Sequence, residues 1–277
     1  MNLKGKLKFV SQTDVGRIRD HNEDYISTND RLGIAILADG MGGLNAGEVA
    51  SSMSAHLLMD ELVSWREGAS VIEAELEDDD GGLTTESRVV RLALARANNA
   101  VFHVSQTQPQ CRGMGTTIVV SLFYDNKVSV AHIGDSRMYR YREDVLEPIT
   151  RDHSFVQELL DKGLYTEQEA RASSKKNVVT RALGVAPNVE VEVGEFDVHP
   201  GDVYLMCSDG LTDLVHDKDI ETTLRELGSD LDEAAAHLVD VANASGGKDN
   251  ISVVLIRAVK PFPRDGGFIE KIVNWFE

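Results

Sequence analysis

Residues 34–43 read Ile-Ala-Ile-Leu-Ala-Asp-Gly-Met-Gly-Gly. Such a short, solid apolar run, rich in isoleucine and leucine, suits a strand buried on both faces. Asp39 then stands at the end of a rigid element. Gly40, Gly42 and Gly43 permit a turn and close backbone approaches that side chains would block. Catalytic and metal-binding carboxylates are often held this way. Ordinary Asp-Gly turns share the pattern, so the rest of the chain must decide between the two.

The chain has 277 residues, 42% of them hydrophobic, enough for one large domain or two small ones. No run of 18 apolar residues is present, so no transmembrane helix is expected. The basic start, Met1 to Lys8, has no apolar signal core, and the expected location is cytoplasmic. Cys111 and Cys207 provide no disulfide framework, in keeping with a reducing compartment. Acids outnumber bases 46 to 28, for a net charge of −18. That excess argues against nucleic acid or an anionic membrane as the main partner.

Periodicity predicts strands over 7–14 and 25–28, separated by a polar loop at 16–24. A helix fits 46–63, with Val49, Met53, Leu57 and Leu58 toward the core. Residues 73–80 hold six acids and precede two glycines, the pattern of a solvated loop. A long helix fits 86–106, with Val90, Leu94, Ala97 and Val101 on one side. Strands are expected at 116–123, 127–133, 138–141, 189–196 and in the apolar run before Asp209. The charged stretch 152–183 reads as mostly helical and peripheral. Helices at 218–227 and 231–244 precede a last strand at 251–256. Long helices between hairpin-linked strands favour antiparallel sheets covered by helices. We read one domain, 1–258, and a C-terminal extension, 259–277. In the extension, Phe268, Ile269, Ile272, Val273 and Phe276 share a helical face. That face suits docking on the same domain or a second subunit, with a partner or a membrane anchor as the alternative, and the lack of a basic polar face weakens the membrane version.

Asp39, Asp135, Asp209 and Asp249 each sit where a strand meets a tight turn, and Glu23-Asp24 opens another strand. If these ends converge, the like charges raise one another's pKa or require a cation. Aspartate and carbonyl oxygens suit Mg²⁺ or Mn²⁺. The eight histidines lack HExxH or paired-ligand spacing, so zinc is not expected. Such a centre suits phosphoryl chemistry. Two divalent ions can share a carboxylate, acidify a bridging water and hold a phosphate for in-line attack. A phosphate also needs a bidentate cation, and Arg17 and Arg19 precede Glu23-Asp24.

The stretches 15–24 (VGRIRDHNED), 38–43 (ADGMGG), 115–117 (GTT), 132–137 (HIGDSR), 208–211 (SDGL) and 249–252 (DNIS) together resemble the ordered motifs of the metal-dependent type 2C serine/threonine protein phosphatases, bacterial branch. The resemblance covers roughly residues 7–258. It implies an α+β fold, an α-β-β-α sandwich of two antiparallel sheets flanked by helices, with a metal site at one end. By that resemblance Asp39 bridges two Mn²⁺ or Mg²⁺ ions and the Gly40 carbonyl joins one. Asp209 and Asp249 hold the other. Glu23 and Asp24 act through bound waters, and Arg19 binds the substrate phosphate. Asp135 with Asp209 forms a weaker third metal site, and residues 152–183 form a flap where substrates are chosen. The implied activity is hydrolysis of phosphoserine and phosphothreonine on proteins, reversing a bacterial serine/threonine kinase, and the expected state is a monomer.

Two positions depart from the family pattern. Met41 follows Asp39-Gly40 where eukaryotic relatives carry a histidine proposed as general acid, and Leu44 stands where many bacterial relatives have histidine. Other phosphoryl chemistries fail on spacing. A cysteine-dependent phosphatase needs arginine six residues after its thiolate, but Thr117 and Asp213 stand there. Residues 40–47 lack the Gly-Lys-Ser/Thr ending of a P-loop. A relative that binds phosphoproteins without turnover is the alternative reading; loss of metal carboxylates would mark it.

Overall fold

Strands that are apolar on both faces need a covering layer on each side, and that need organises this fold. The computed structural model describes residues 2–43, 46–76 and 82–264. Leu44, the centre of the acidic loop and the helical face from Phe268 to Phe276 lie outside the described residues.

In chain order the strands are β1 (Leu7–Asp14), β2 (Asp24–Asn29), β3 (Ile34–Met41), β4 (Gly115–Thr116), β5 (Ile118–Tyr124), β6 (Lys127–Ile133), β7 (Arg137–Arg142), β8 (Val145–Pro148), β9 (Glu192–Asp197), β10 (Val203–Cys207) and β11 (Ile251–Ala258). The helices are α1 (Ala46–Arg66), α2 (Thr85–Thr107), α3 (Phe155–Asp161), α4 (Glu167–Ala172), α5 (Asp209–Thr212), α6 (Asp217–Leu227) and α7 (Leu231–Ala244). One sheet has the order β1-β11-β10-β7-β8 and the other β2-β3-β5-β6-β9, with β4 beside β3. All pairings between these strands are antiparallel.

Alternation along single strands shows the layers. In β3, Ile34, Ile36 and Ala38 join α1 and α2 in one core, while Ala35 and Leu37 face the other sheet. In β11, Ile251, Val253 and Leu255 pack with α6 and α7, while Val254 and Ile256 face inward. Three apolar layers thus build the expected α-β-β-α sandwich. Phe262 is buried between the sheets against Phe123, with ring centroids 6.3 Å apart. Among the described residues no helix is long and apolar enough to cross a membrane.

Several expectations need correction. Val49 and Leu57 are 40% and 39% exposed. The buried face of α1 is instead Ala46, Gly47, Ala50, Ser51, Ser54, Ala55, Leu58 and Leu62. The helix lies so close to β3 that small side chains fill the gap. A Cβ on Gly40 would sit 2.2 Å from the Gly47 carbonyl oxygen. The strand carrying Asp39 runs on to Met41, so Asp39-Gly40 is strand and not turn. The stretch 152–183 holds only two short helices, and its ends are anchored by buried His153, Ser154 and Leu183. β9 begins at Glu192, although Val189 and Val191 still pack on the core. β8 and α5 had no clear periodic signal. The β7–β8 turn uses Glu143 and Asp144 at φ 51° and 64°, a left-handed turn written without glycine or asparagine.

The α1 packing sets a first prediction. Leu58→Ala should cost about 2–5 kcal/mol, whereas Val49→Ala should stay within about 0.5 kcal/mol. Urea unfolding at fixed metal concentration measures both. Equal losses would show that the assigned face is wrong.

Candidate metal centre

Asp24 and Asp39 are directly opposed in the β2–β3 register. Neighbours in register project to one side of the sheet, here the space between the sheets, where Leu37 already points. The second sheet brings Asp209, just after β10, and Asp249, just before β11, to the same end. Asp135 arrives from the end of β6. The five strand-end aspartates therefore converge: Asp39 feels the charges of Asp24, Asp209, Asp135 and Asp249.

Polar side chains beside the carboxylates hold the cluster. Ser208 Oγ donates to Asp24 Oδ2 at 2.8 Å and accepts from the Ser252 amide at 3.0 Å, linking the two sheets. The Asn250 side chain accepts from the Glu23 amide at 2.8 Å and donates to the carbonyls of Val15 (3.0 Å) and His21 (2.8 Å). It thereby pins the loop that carries Arg19 and Glu23. The Asp39 carbonyl accepts from the Thr117 amide and from Thr116 Oγ1, both at 2.8 Å. Thr117 Oγ1 meets Ser136 Oγ at 2.7 Å beside Asp135. Gly40 and Gly210 are required by close packing. A Cβ on Gly210 would lie 1.9 Å from the Asn250 carbonyl oxygen. Ser208 and Asn250 had a signal in the sequence, each being a polar residue directly beside a candidate ligand.

Of the remaining candidate residues, Arg19 and Glu23 border the same site, where the charges of Asp249, Glu23 and Asp39 act on Arg19. Arg19 Nη2 bonds Asp249 Oδ2 at 2.7 Å, with about half of the arginine side chain exposed at the rim. The Glu23 carboxylate accepts the backbone N–H groups of Gly47 and Glu48, which places it at the start of α1. Met41, half-buried, follows on the strand beside Gly115. Arg17 is exposed, and its amide bonds the Gly247 carbonyl at 2.7 Å.

The electrostatics of the cluster are those of a site built for cations. Burial, then the neighbouring carboxylates, pushes Asp39 and Asp209 well above the usual aspartate range. Burial likewise raises Asp24 to about 6 and, with Asp152 next in effect, Asp135 to about 7. Asp24 Oδ1 and Asp209 Oδ1 are buried and accept no hydrogen bond. Buried acceptors of this kind are costly unless something binds them. Oxygen donors with excess negative charge fit Mg²⁺ or Mn²⁺.

A second group, His132, His153 and Glu192, places three possible ligand atoms within 4.8 Å of one another. Hydrogen bonds already commit Nε2 of His132 and both nitrogens of His153. His132 Nε2 lies 2.7 Å from the Arg151 carbonyl. His153 Nδ1 accepts the Gly134 N–H, which leaves Nε2 protonated toward Glu192, and the Arg181 guanidinium sits 3.3 Å from that Nε2. A cation would have to displace that proton beside a fixed positive charge, so this donor set does not fit a metal.

The raised pKa values carry a sign. At Asp24 and Asp135 the metal-free fold binds protons more tightly than the unfolded chain between pH 4 and about 7. Its stability should therefore fall as pH rises through that window, the reverse of an ordinary salt-bridged aspartate. Thermal unfolding in chelator should show a lower Tm at pH 8 than at pH 5.5. Asp209→Asn should raise the metal-free Tm at pH 8, and saturating Mn²⁺ should remove the wild-type deficit. A metal-free Tm that climbs with pH would contradict the electrostatics described.

Comparison with known proteins agrees with this geometry. Residues 17–243 match the family described as Protein phosphatase 2C. The chain is 37% identical over 248 residues to the serine/threonine phosphatase stp of Listeria innocua, covering 88% of this chain and 93% of that protein. The crystal structure of the Mycobacterium tuberculosis serine/threonine phosphatase PstP/Ppp superposes with a TM-score of 0.78 at 35% identity, covering 92% of this chain and 99% of that one. A structure of the PstP catalytic domain in complex with two manganese ions gives 0.77 at 35% identity, with the same coverage. The α-β-β-α sandwich, the converging carboxylates and these likenesses agree: the chain belongs to the protein phosphatase 2C family, the metal-dependent serine/threonine protein phosphatases.

Proposed function

We propose that this phosphatase removes phosphate from phosphoserine and phosphothreonine at the aspartate cluster, with two manganese or magnesium ions held by Asp39, the Gly40 carbonyl, Asp209 and Asp249. The observation that carries this reading is the pair of buried carboxylate oxygens, on Asp24 and Asp209, that accept no hydrogen bond inside a five-aspartate cluster. The two-manganese PstP structure supports it. When bound, such ions supply charge neutralisation and a water acidic enough to attack phosphorus in line.

The chain's own residues supply position and charge. Asp39, opposite Asp24 in the β2–β3 register and within reach of the Asp209 charge, would supply the carboxylate that both ions share. Asp24, buried and steadied by Ser208, and Glu23, steadied by the α1 backbone, would orient water bound to the ions. Arg19 presents a planar fork that matches two phosphate oxygens, and Asp249 keeps it over the cluster. Asp135 with Asp209 forms a third, weaker cation site. Met41 has no proton to give, so the proton for the leaving serine or threonine oxygen would come from a metal-bound water or from another residue of the cleft. A cavity of about 740 Å³, lined by Asp135, Asp209, Asp213, Leu160 and Lys176 among others, lies between the flap and α5–α6 and is where a phosphopeptide would be received. The substrates are phosphoproteins made by a serine/threonine kinase. No observation favours a binding module without turnover.

Hydrolysis of a phosphothreonine peptide should require Mn²⁺ or Mg²⁺ and stop with chelator; turnover in excess chelator would sink the mechanism. Asp209→Ala should cut kcat about a hundredfold or more while circular dichroism stays unchanged. Arg19→Ala should weaken inhibition by inorganic phosphate about tenfold, on the scale of a charged hydrogen bond. An unchanged phosphate Ki would exclude Arg19 from the clamp.

A further inference from the structure

Asp135 has only 7% of its surface exposed, yet the residue before it is Gly134, at φ +107°. Glycine at that position has no side chain to restrict its dihedrals, so something else must aim the aspartate. His153 does so twice. Its amide donates to the Gly134 carbonyl at 2.9 Å, and its Nδ1 accepts the Gly134 N–H at 3.2 Å. Those two bonds grip the peptide groups on either side of Gly134, and φ and ψ of Gly134 are the rotations between them.

His153 is itself held. Its ring stacks on His132, with centroids 4.6 Å and planes 14° apart, and its Nε2 faces Glu192 at 3.2 Å. It also stands at the base of the flap. The Thr180 amide donates to the His153 carbonyl at 2.8 Å, and the Phe155 amide to the Val178 carbonyl at 2.8 Å, so both ends of the flap are zipped at this residue. Next to it, Asp152 takes a bidentate bond from Arg137, two residues beyond Asp135, with both contacts at 2.7 Å.

We propose that His153 is a positioning residue that aims Asp135 at its cation and ties that aim to the base of the flap. This rests on the reading that Asp135 and Asp209 hold a third, weaker cation. The stake is geometric: a carboxylate on a free glycine hinge binds a cation weakly, and a residue behind a ligand is typically worth 10- to 100-fold in metal affinity.

The test is Mn²⁺ titration of the full chain by calorimetry, with amide hydrogen exchange at Gly134 followed by NMR. His153→Phe keeps the ring and its stacking but removes the acceptor. His153→Asn keeps an acceptor at the δ position. His153→Phe should weaken the weakest Mn²⁺ site about 10- to 100-fold, leave the tighter sites unchanged and deprotect the Gly134 amide. His153→Asn should restore most of both. Asp135→Ala should abolish the weak site while Gly134 stays protected. If His153→Phe does not fold, Glu192→Gln, at an exposed carboxylate, should weaken the same site a few-fold. An unchanged weak site in His153→Phe, or equal losses in Phe and Asn, overturns the proposal. In the fallback arm, an unchanged weak site in Glu192→Gln does so too. Three Mn²⁺ ions bound by Asp135→Ala would reject the third-cation reading itself and the proposal with it.

Discussion

Crowding of five aspartates at one end of a sandwich is the constraint to which the rest of this structure answers. Burial and mutual repulsion raise the pKa values of Asp24, Asp39, Asp135 and Asp209 together. Carboxylates in that state push apart unless the backbone behind them is stiff. The stiffness comes from strands buried on both faces, β3 and β11 above all, which carry no exposed residue. The three apolar layers are thus the support that keeps charge where it is least comfortable. A dication held here would reverse the sign of that discomfort and so link binding to folding.

Between the apolar support and the carboxylates lies a thin shell of neutral polar groups. Ser208 joins the sheets under Asp24, Asn250 ties the Arg19 loop to the start of β11, and Thr116 and Thr117 hold the Asp39 carbonyl. Neutral donors and acceptors suit this task because they orient a carboxylate without taking its charge away from a cation. Asp249 is different. It is shared with Arg19, which places the proposed phosphate-binding fork and a proposed metal ligand in one ion pair.

Much of this was legible from local pattern. The apolar run 34–38 and the helical spacing of Val90, Leu94, Ala97 and Val101 gave the right elements because burial imposes them directly, whereas the alternation at 7–14 gave the right strand although only Leu7 in it is buried. The candidate aspartates were legible because each follows or precedes an apolar run. Failures arose where size or shape outranked hydrophobicity. Val49 and Leu57 are the larger apolar residues on α1, yet Ala50, Ser54 and Ala55 face the sheet, since the helix approaches too closely for a bulky side chain. The flap looked helical from its charge pattern, but its helices are short and its ends are pinned by backbone bonds from residues about 25 apart, such as Thr180 to His153.

The sequence by itself determined the alternation of helices and strands, the residue types at each strand end and the family to which their order points. Those features are local, written in periods of two and 3.6 residues and in the residues that interrupt them. The tertiary structure alone decided that the strand-end aspartates share one site. It also decided that Asn250 reaches back to Val15 and that His153 grips the backbone before Asp135. Such contacts join residues up to 235 positions apart. They exist only once two sheets have closed on each other, because no local period encodes which strand ends will meet.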